Sequence, residues 1–253
     1  MEMKQFLLET INEAGMLALD WAHRREQNEV HYKSAKDLVT DADFAVEALI
    51  KDRLQEKFPN FGFWGEESGQ QKGQDGRWIV DPIDGTVSFA RGFDYWSVSI
   101  AVEIEGKIEM GAVFAPALEL LFYAEKGKGA TRNGKAIQVS KTDRLEQVIT
   151  ATGFACIRSD VEPNNLPRFN RIVKEVLGFR IRGSAAVDLC SVADGSLDAF
   201  FEQNLNLYDV AAGALILEEA GGKITDFKGK EQLDPKAVMA TNGSIHHDLL
   251  NLA

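Results

Sequence analysis

The stretch Arg77-Trp78-Ile79-Val80-Asp81-Pro82-Ile83-Asp84-Gly85-Thr86 decides the reading of this chain, because an apolar run stops there on two carboxylates, a glycine and a threonine. Trp78, Ile79 and Val80 suit a buried strand, and Pro82, which lacks an N–H and pushes Asp81 toward extended geometry, is expected to end its ladder. Gly85 is open to backbone angles closed to other residues, and Thr86 reads as the N-cap of a short segment, Val87-Ser88-Phe89-Ala90. Backbone N–H groups at such a helix start favour an anion. Two carboxylates beside an anion site would repel a phosphate unless a cation stood between them, and a divalent metal resolves that conflict. All-oxygen ligands suit Mg²⁺, Mn²⁺ or Ca²⁺, while His23, His31, His246 and His247 lie far along the chain from this turn, which argues against zinc. The same residues also make an ordinary Asp-Pro-x-Asp-Gly surface turn, and the stretch alone leaves both readings open.

Working outward, 253 residues with 45% hydrophobic content suffice for a large core, in one domain or two. A net charge of −11 disfavours nucleic acid and anionic membrane surfaces as general partners, although a small anion drawn in by bound metal remains compatible with it. Cys156 and Cys190 are too few for a disulfide framework and too far apart for CxxC chemistry, so they read as buried, reduced thiols of a cytoplasmic protein. Leu7, Ile11, Ala14, Ala18 and Trp21 have helical spacing interrupted by acids, unlike a signal peptide, and no window has the run of uncharged apolar residues a membrane span needs.

A polar stretch over 24–36 leads to Thr40-x-x-Asp43, a capping-box pattern opening a second amphipathic helix, so Asp43 has a purely structural reading beside any catalytic one. Phe61-Gly62-Phe63-Trp64 reads as a strand delivering Gly65-Glu66-Glu67-Ser68, and 70–76 as an exposed polar loop. From 95 to 124 the pattern is an antiparallel meander, after which Gly127-x-Gly129 reads as a hairpin turn. Beyond Lys141 strands alternate with helices: strands at 148–152, 197–201, 223–227 and 237–240, helices at 168–177, 185–194, 208–220 and 244–252. An α/β half, 141–253, thus follows an α+β half, 1–140.

Three acidic clusters stand apart in this sequence: Gly65-Glu66-Glu67-Ser68, Asp81-Pro82-Ile83-Asp84-Gly85-Thr86 and Tyr208-Asp209-Val210-Ala211-Ala212-Gly213. Together with Asp37-Leu38-Val39-Thr40-x-x-Asp43, Glu125-Lys126-Gly127-Lys128-Gly129-Ala130 and Gly183-Ser184-Ala185-Ala186-Val187-Asp188-Leu189, they resemble the inositol monophosphatase family of Mg²⁺-dependent, lithium-sensitive sugar phosphatases over nearly the whole chain. The resemblance implies a layered αβαβα sandwich of the inositol monophosphatase and fructose-1,6-bisphosphatase type, commonly a homodimer, with metal held between the two halves. It implies one Mg²⁺ held by Glu66, Asp81 and the carbonyl of Ile83, a second by Asp81, Asp84 and Asp209, and a third, weaker ion near Glu66. Glu66, Thr86 and Asp43 would be catalytic, the last two orienting the attacking water. The backbone of Gly85 and Thr86 would bind phosphate, and Ser184, Ala185 and Glu202 would face ring hydroxyls. Lys33 falls on the loop that closes over the site in this family, and it also reads as a solvated surface lysine.

Two departures bear on the substrate. Asn206 stands where animal inositol phosphatases commonly carry histidine, and Tyr208 replaces a tryptophan. The metal motif is shared with enzymes cleaving fructose-1,6-bisphosphate, histidinol phosphate and 3′-phosphoadenosine 5′-phosphate. Some bacterial relatives contact transcription machinery, so a partner-binding regulatory protein is the alternative to an enzyme.

Overall fold

The computed structural model describes residues 2–24, 28–34, 37–231 and 233–253. Helix α1 (Glu2–His23) precedes an antiparallel hairpin of β1 (Val30–Ser34) and β2 (Asp37–Thr40), and α2 (Asp41–Lys57) follows directly. Then come β3 (Phe61–Gly65), β4 (Gly69–Gln71), β5 (Gly76–Asp84), α3 (Thr86–Arg91), β6 (Ser97–Ile104), β7 (Lys107–Ala115), β8 (Leu120–Glu125), β9 (Ala130–Arg132) and β10 (Lys135–Ala136). These eight strands, β3 to β10, form one sheet in the order β10-β9-β8-β7-β6-β5-β3-β4, antiparallel except where β3 and β5 run side by side. The second sheet holds β11 (Ile149–Thr152), β12 (Gly178–Arg180), β13 (Ala199–Gln203), β14 (Lys223–Thr225) and β15 (Ala237–Thr241) in the order β12-β11-β13-β15-β14. Its helices are α4 (Ala155–Arg158), α5 (Leu166–Ile172), α6 (Ala185–Ala193), α7 (Leu207–Glu219) and α8 (His246–Leu252).

Strand alternation stacks these elements into five layers. Trp78 and Val80 of β5, with Val98, Ile100 and Val102 of β6, face Leu7, Ile11, Val46 and Ile50 of α1 and α2. Ile79, Ala101 and Val113 point the other way, onto α6 and α7. Those two helices also receive Ala151, Phe200, Val238 and Ala240 of the second sheet, so one apolar cluster joins both sheets. Ala199, Phe201 and Met239 face outward onto Ile172 of α5 and Ile245 and Leu249 of α8. The result is the expected αβαβα sandwich. Each large side chain fully buried in it, Trp78 or Phe200 for example, contributes about 1.5–3 kcal/mol of transfer free energy.

Several boundaries differ from the sequence reading. Strand β5 does not end at Asp81: pairing moves from Asp81↔Ser99 to Asp84↔Ser97, so a bulge absorbs Pro82 and the strand rejoins its partner at Asp84. The polar stretch contains strand β1, which pattern could not reveal because all five residues are exposed and show no contrast between faces; residues 25–27 and 35–36 of that stretch lie outside the described residues. The helix expected over 168–177 is Leu166–Ile172, because β12 begins at Gly178 and the chain must turn before it. The strand expected at 197–201 runs Ala199–Gln203, which places Glu202 within it.

Candidate metal centre and active site

The site is built where β5 stops and four helices start. After the bulge, Asp81 Oδ1 accepts from the Ile83 amide at 3.1 Å, and Gly85 turns the chain at φ 97°. A side chain at Gly85 would be strained at that φ and would meet Tyr95 O at 3.0 Å and Gly183 O at 3.1 Å, so glycine is required twice over. Gly85 itself is the N-cap of α3, which corrects the expectation for Thr86. As the first helical residue, Thr86 donates its hydroxyl to the Ile83 carbonyl at 3.1 Å and faces Asp43 Oδ1 at 3.4 Å. Phe89 stacks edge-on against Trp96 with centroids 4.9 Å apart, bracing this short helix by about 0.5–1.5 kcal/mol.

The other acids arrive on helix N-termini. At the start of α2, Asp43 Oδ2 accepts from the Thr40 amide (2.8 Å) and hydroxyl (2.6 Å), leaving Oδ1 toward Thr86. The capping and catalytic readings of Asp43 therefore divide between its two oxygens. Helix α7 repeats the device: the Asn206 amide donates to Asp209 Oδ2 at 2.6 Å. Asp84 sits on the start of α6, accepting from Ser184 Oγ (2.5 Å) and the amides of Ala186 (2.7 Å) and Ala185 (3.3 Å). Negative charge is favoured at each of these helix starts.

Glu66 comes from the opposite edge, on the loop after β3, whose amide bonds Val80 O at 3.2 Å. Two side chains hold this loop. Lys33 Nζ, from the β1–β2 hairpin, reaches Glu66 Oε1 at 3.1 Å and Glu67 Oε1 at 2.6 Å. Burial works against the charge of Lys33, but Glu66 and Glu67 outweigh it and hold its pKa above the usual lysine range. From beneath, the Glu47 carboxylate of α2 accepts from the amides of Glu67 (2.9 Å) and Ser68 (2.7 Å).

Electrostatically the cluster is in conflict with itself. Burial pushes Asp81 well above the usual carboxylate range, and the charges of Glu66, Asp84, Asp209 and Asp43 push it further. Asp209 is raised by burial and then by Asp84. Burial lifts Asp84 to about 6, against the opposing bonds from Ser184 and Ala186, and lifts Asp43 to about 7, against those from Thr40. Glu66, Asp81, Asp84, Asp209 and Asp43 thus lie near enough for their charges to act on one another. An all-oxygen set carrying this much negative charge, with Lys33 the described cation paired to it, fits hard divalent cations such as Mg²⁺. Among the described residues, the group whose ligand atoms all lie within 4.8 Å of one another is Glu29, His31 and Asp41 on the surface; the acids at the end of β5 stand further apart than that.

The residues expected to face substrate are placed less uniformly. Ser184 is buried, with its hydroxyl committed to Asp84 and to the Val187 amide, and Ala185 is buried beside it. Glu202 is buried, accepts from the Ala155 amide at 3.0 Å, and is raised by burial to about 7. Asn206 caps α7, donating to Tyr208 Oη at 2.9 Å and accepting from Lys236 Nζ at 3.2 Å. Sequence reasoning missed Glu47 and the Asn206-x-x-Asp209 box. The signals were an acid set within the apolar stripe Val46, Ile50, Leu54 of α2, and a capping residue three before an aspartate, the pattern already recognised at Thr40-x-x-Asp43.

Known proteins resemble this chain over nearly its whole length. The sequence profile of the inositol monophosphatase family matches residues 1–252. The Nus factor SuhB of Pasteurella multocida is 35% identical over 229 residues, covering 90% of this chain and 86% of that protein. The inositol-1-monophosphatase of Caulobacter vibrioides is 38% identical over 228 residues, covering 88% and 89%. The crystal structure of the extragenic suppressor protein suhB from Bartonella henselae superposes with a TM-score of 0.94 at 35% identity, covering 100% of this chain and 98% of that one.

Proposed function

This chain belongs to the inositol monophosphatase family, and from that premise we propose that it is a Mg²⁺-dependent phosphatase of inositol 1-phosphate and related sugar or polyol phosphates. The phosphatase class and a dependence on metal belong to the family; the ion and the substrate are our reading. The observation that carries it is the convergence of Glu66, Asp81, Asp84 and Asp209 beside the α3 start, a negative cluster that becomes attractive to phosphate only when cations occupy it.

Glu66, Asp81 and the Ile83 carbonyl would hold one ion, Asp81, Asp84 and Asp209 a second, and Glu66 a weaker third. Bound metal supplies positive charge to the phosphoryl group and lowers the pKa of a water. The chain's own residues do the rest. The Gly85 and Thr86 amides would orient phosphate oxygens, and the Thr86 hydroxyl, backed by Asp43 Oδ1, would hold the attacking water in line; the proton that water loses passes to the Asp43 carboxylate, and the departing alcohol takes a proton from solvent. Residues 1–140, carrying most ligands, and 141–253, carrying Asp209, act as two halves closing on the site. Lithium sensitivity follows from the resemblance. Two free, buried cysteines support a reducing, cytoplasmic setting, and exposed Leu177 and Ile181 offer apolar surface for a homodimer.

Phosphate and metal contacts are common to every phosphomonoester, so discrimination rests on the leaving alcohol. We assign to Glu202, whose Oε1 is held by the Ala155 amide, the role of accepting from a ring hydroxyl; with Glu202 ionised, such a bond contributes roughly 1.5–3 kcal/mol, or about tenfold to a hundredfold over simple alkyl phosphates. The test is a panel of phosphomonoesters at fixed Mg²⁺. Myo-inositol 1-phosphate should be hydrolysed alongside other polyol phosphates, and Glu202→Gln should narrow its advantage over glycerol 2-phosphate. Negligible kcat/KM for inositol 1-phosphate beside efficient cleavage of fructose-1,6-bisphosphate, histidinol phosphate or 3′-phosphoadenosine 5′-phosphate would sink the substrate reading. The relatives named Nus factor favour a second reading, a partner-binding regulatory protein. A folded protein without Mg²⁺-dependent turnover on the whole panel would select it.

A further inference from the structure

We propose that Glu47 is a positioning residue, a buried carboxylate that fixes the loop presenting Glu66 and thereby sets how tightly the site holds its metal. The inference rests on Glu66 being a metal ligand, as assigned above. Glu47 lies one helical turn after Asp43, among Val46, Ile50 and Leu54, and is 3% exposed. A carboxylate there costs several kcal/mol unless its oxygens are bonded, and an apolar side chain of similar size would pack the same position more stably. Among the described residues no cation pairs with it. Instead each oxygen accepts one amide of the loop, Oε2 from Glu67 and Oε1 from Ser68, at 2.9 and 2.7 Å. Two successive amides turned toward one anion fix the backbone on the C-terminal side of Glu66, and on its N-terminal side the Glu66 amide is bonded to Val80 O.

A second observation points the same way. A Cβ at Gly65 would lie 2.4 Å from Glu47 Oε2, so the absence of a side chain there is what lets the carboxylate lie flat against the loop. No positive φ restricts position 65, and alanine would act there by displacing the Glu47 carboxylate. Glu47 thus does for Glu66 what residues bonded to a metal ligand do in general, and loss of such support typically lowers metal affinity or activity about tenfold to a hundredfold.

The test compares Glu47→Gln, Gly65→Ala, the double variant and Asp81→Asn. In metal-free protein, amide hydrogen exchange at Glu67 and Ser68 should accelerate about tenfold or more in Glu47→Gln, because an amide side chain can accept from one of these donors and opposes the other with its own N–H. The Mg²⁺ concentration giving half-maximal thermal stabilisation should rise about tenfold to a hundredfold, with a larger activity loss at limiting than at saturating Mg²⁺. Gly65→Ala should reproduce this shift, and the double variant should add nothing to it. If Glu47→Gln does not fold, Gly65→Ala carries the same readouts. An unchanged Mg²⁺ midpoint in these variants, with a raised one in Asp81→Asn, overturns the role of Glu47 and spares the metal assignment. No change in Asp81→Asn removes the metal assignment and this proposal with it.

Discussion

Asp84 and Asp198 are both buried, and each accepts from a serine hydroxyl and from the backbone, Asp84 from two amides and Asp198 from one. Asp84 bonds Ser184 Oγ and the amides that open α6; Asp198 bonds Ser140 Oγ at 2.6 Å and the Ile149 amide at 2.7 Å, where the second sheet begins. The bonds are nearly the same, and the surroundings are not. Ser140 in turn accepts from Asn242, so Asp198 is the single acid among uncharged partners, whereas Asp84 joins Asp81 and Asp209 in a cluster of acids. Hydrogen bonds satisfy a single carboxylate but cannot neutralise a group of them, and that uncompensated charge separates a binding site from a structural joint.

The comparison breaks if both aspartates respond alike to substitution. Asp84→Asn should lower kcat by about a thousandfold or more with the fold retained, because a charged ligand to the metal is lost. Asp198→Asn should leave kcat at 25 °C within a few-fold and lower stability by about 1–3 kcal/mol, since its amide N–H opposes one of its donors. Steady-state kinetics with thermal melts on both variants decides this; equal loss of activity would remove the distinction.

Asp43 sharpens the contrast within one side chain. Thr86→Val, which strips the hydroxyl facing Oδ1, should cost about a hundredfold in kcat, with Thr86→Ser restoring most of it. Thr40→Ala, acting on Oδ2, should cost about 1 kcal/mol of stability and much less activity. If Thr40→Ala proved the worse catalyst, the division between the two oxygens would fail.

A further effect should appear in stability against pH. Asp43 and Asp84, raised to about 7 and about 6, hold protons in the folded state that the unfolded chain releases near pH 4, so in EDTA the free energy of unfolding should fall as pH rises from about 4 to 7. A Tm several degrees lower at pH 7 than at pH 4 is expected for a chain of this size. Mg²⁺ binds the deprotonated acids, so its stabilisation should grow across the same window and flatten the slope. Melts that were pH-independent in EDTA would show that the acids do not repel as described.

The part of this molecule legible in its sequence was the part where local chemistry and position coincide. Asp81, Asp84 and Gly85 sit on one turn, and Thr40-x-x-Asp43 announces its helix, so both were readable in place. The bulge after Asp81 was not, because it depends on β6 offering Ser97 as a second partner across the sheet. The β1 strand was hidden by uniform exposure, and Glu47 because nothing in a helical pattern shows that an acid beside the apolar stripe will find backbone amides to bond. Bringing Glu66 and Asp209 to Asp81 is a matter of tertiary packing, for which the sequence offered only family resemblance.

Three helices, α2, α6 and α7, begin on acids of this site, which binds heredity to folding as well as to chemistry. A lineage that abandoned turnover would still gain stability from Asp43, Asp84 and Asp209 at those helix starts, about 0.5–2 kcal/mol for each such contact, so its extinct active site would leave a fossil that looks alive. Asp81, whose Oδ1 accepts from the Ile83 amide two residues on, anchors no helix among the described residues. It is the acid that drift would erase first, and therefore the better witness to whether a descendant of this protein still works for its living.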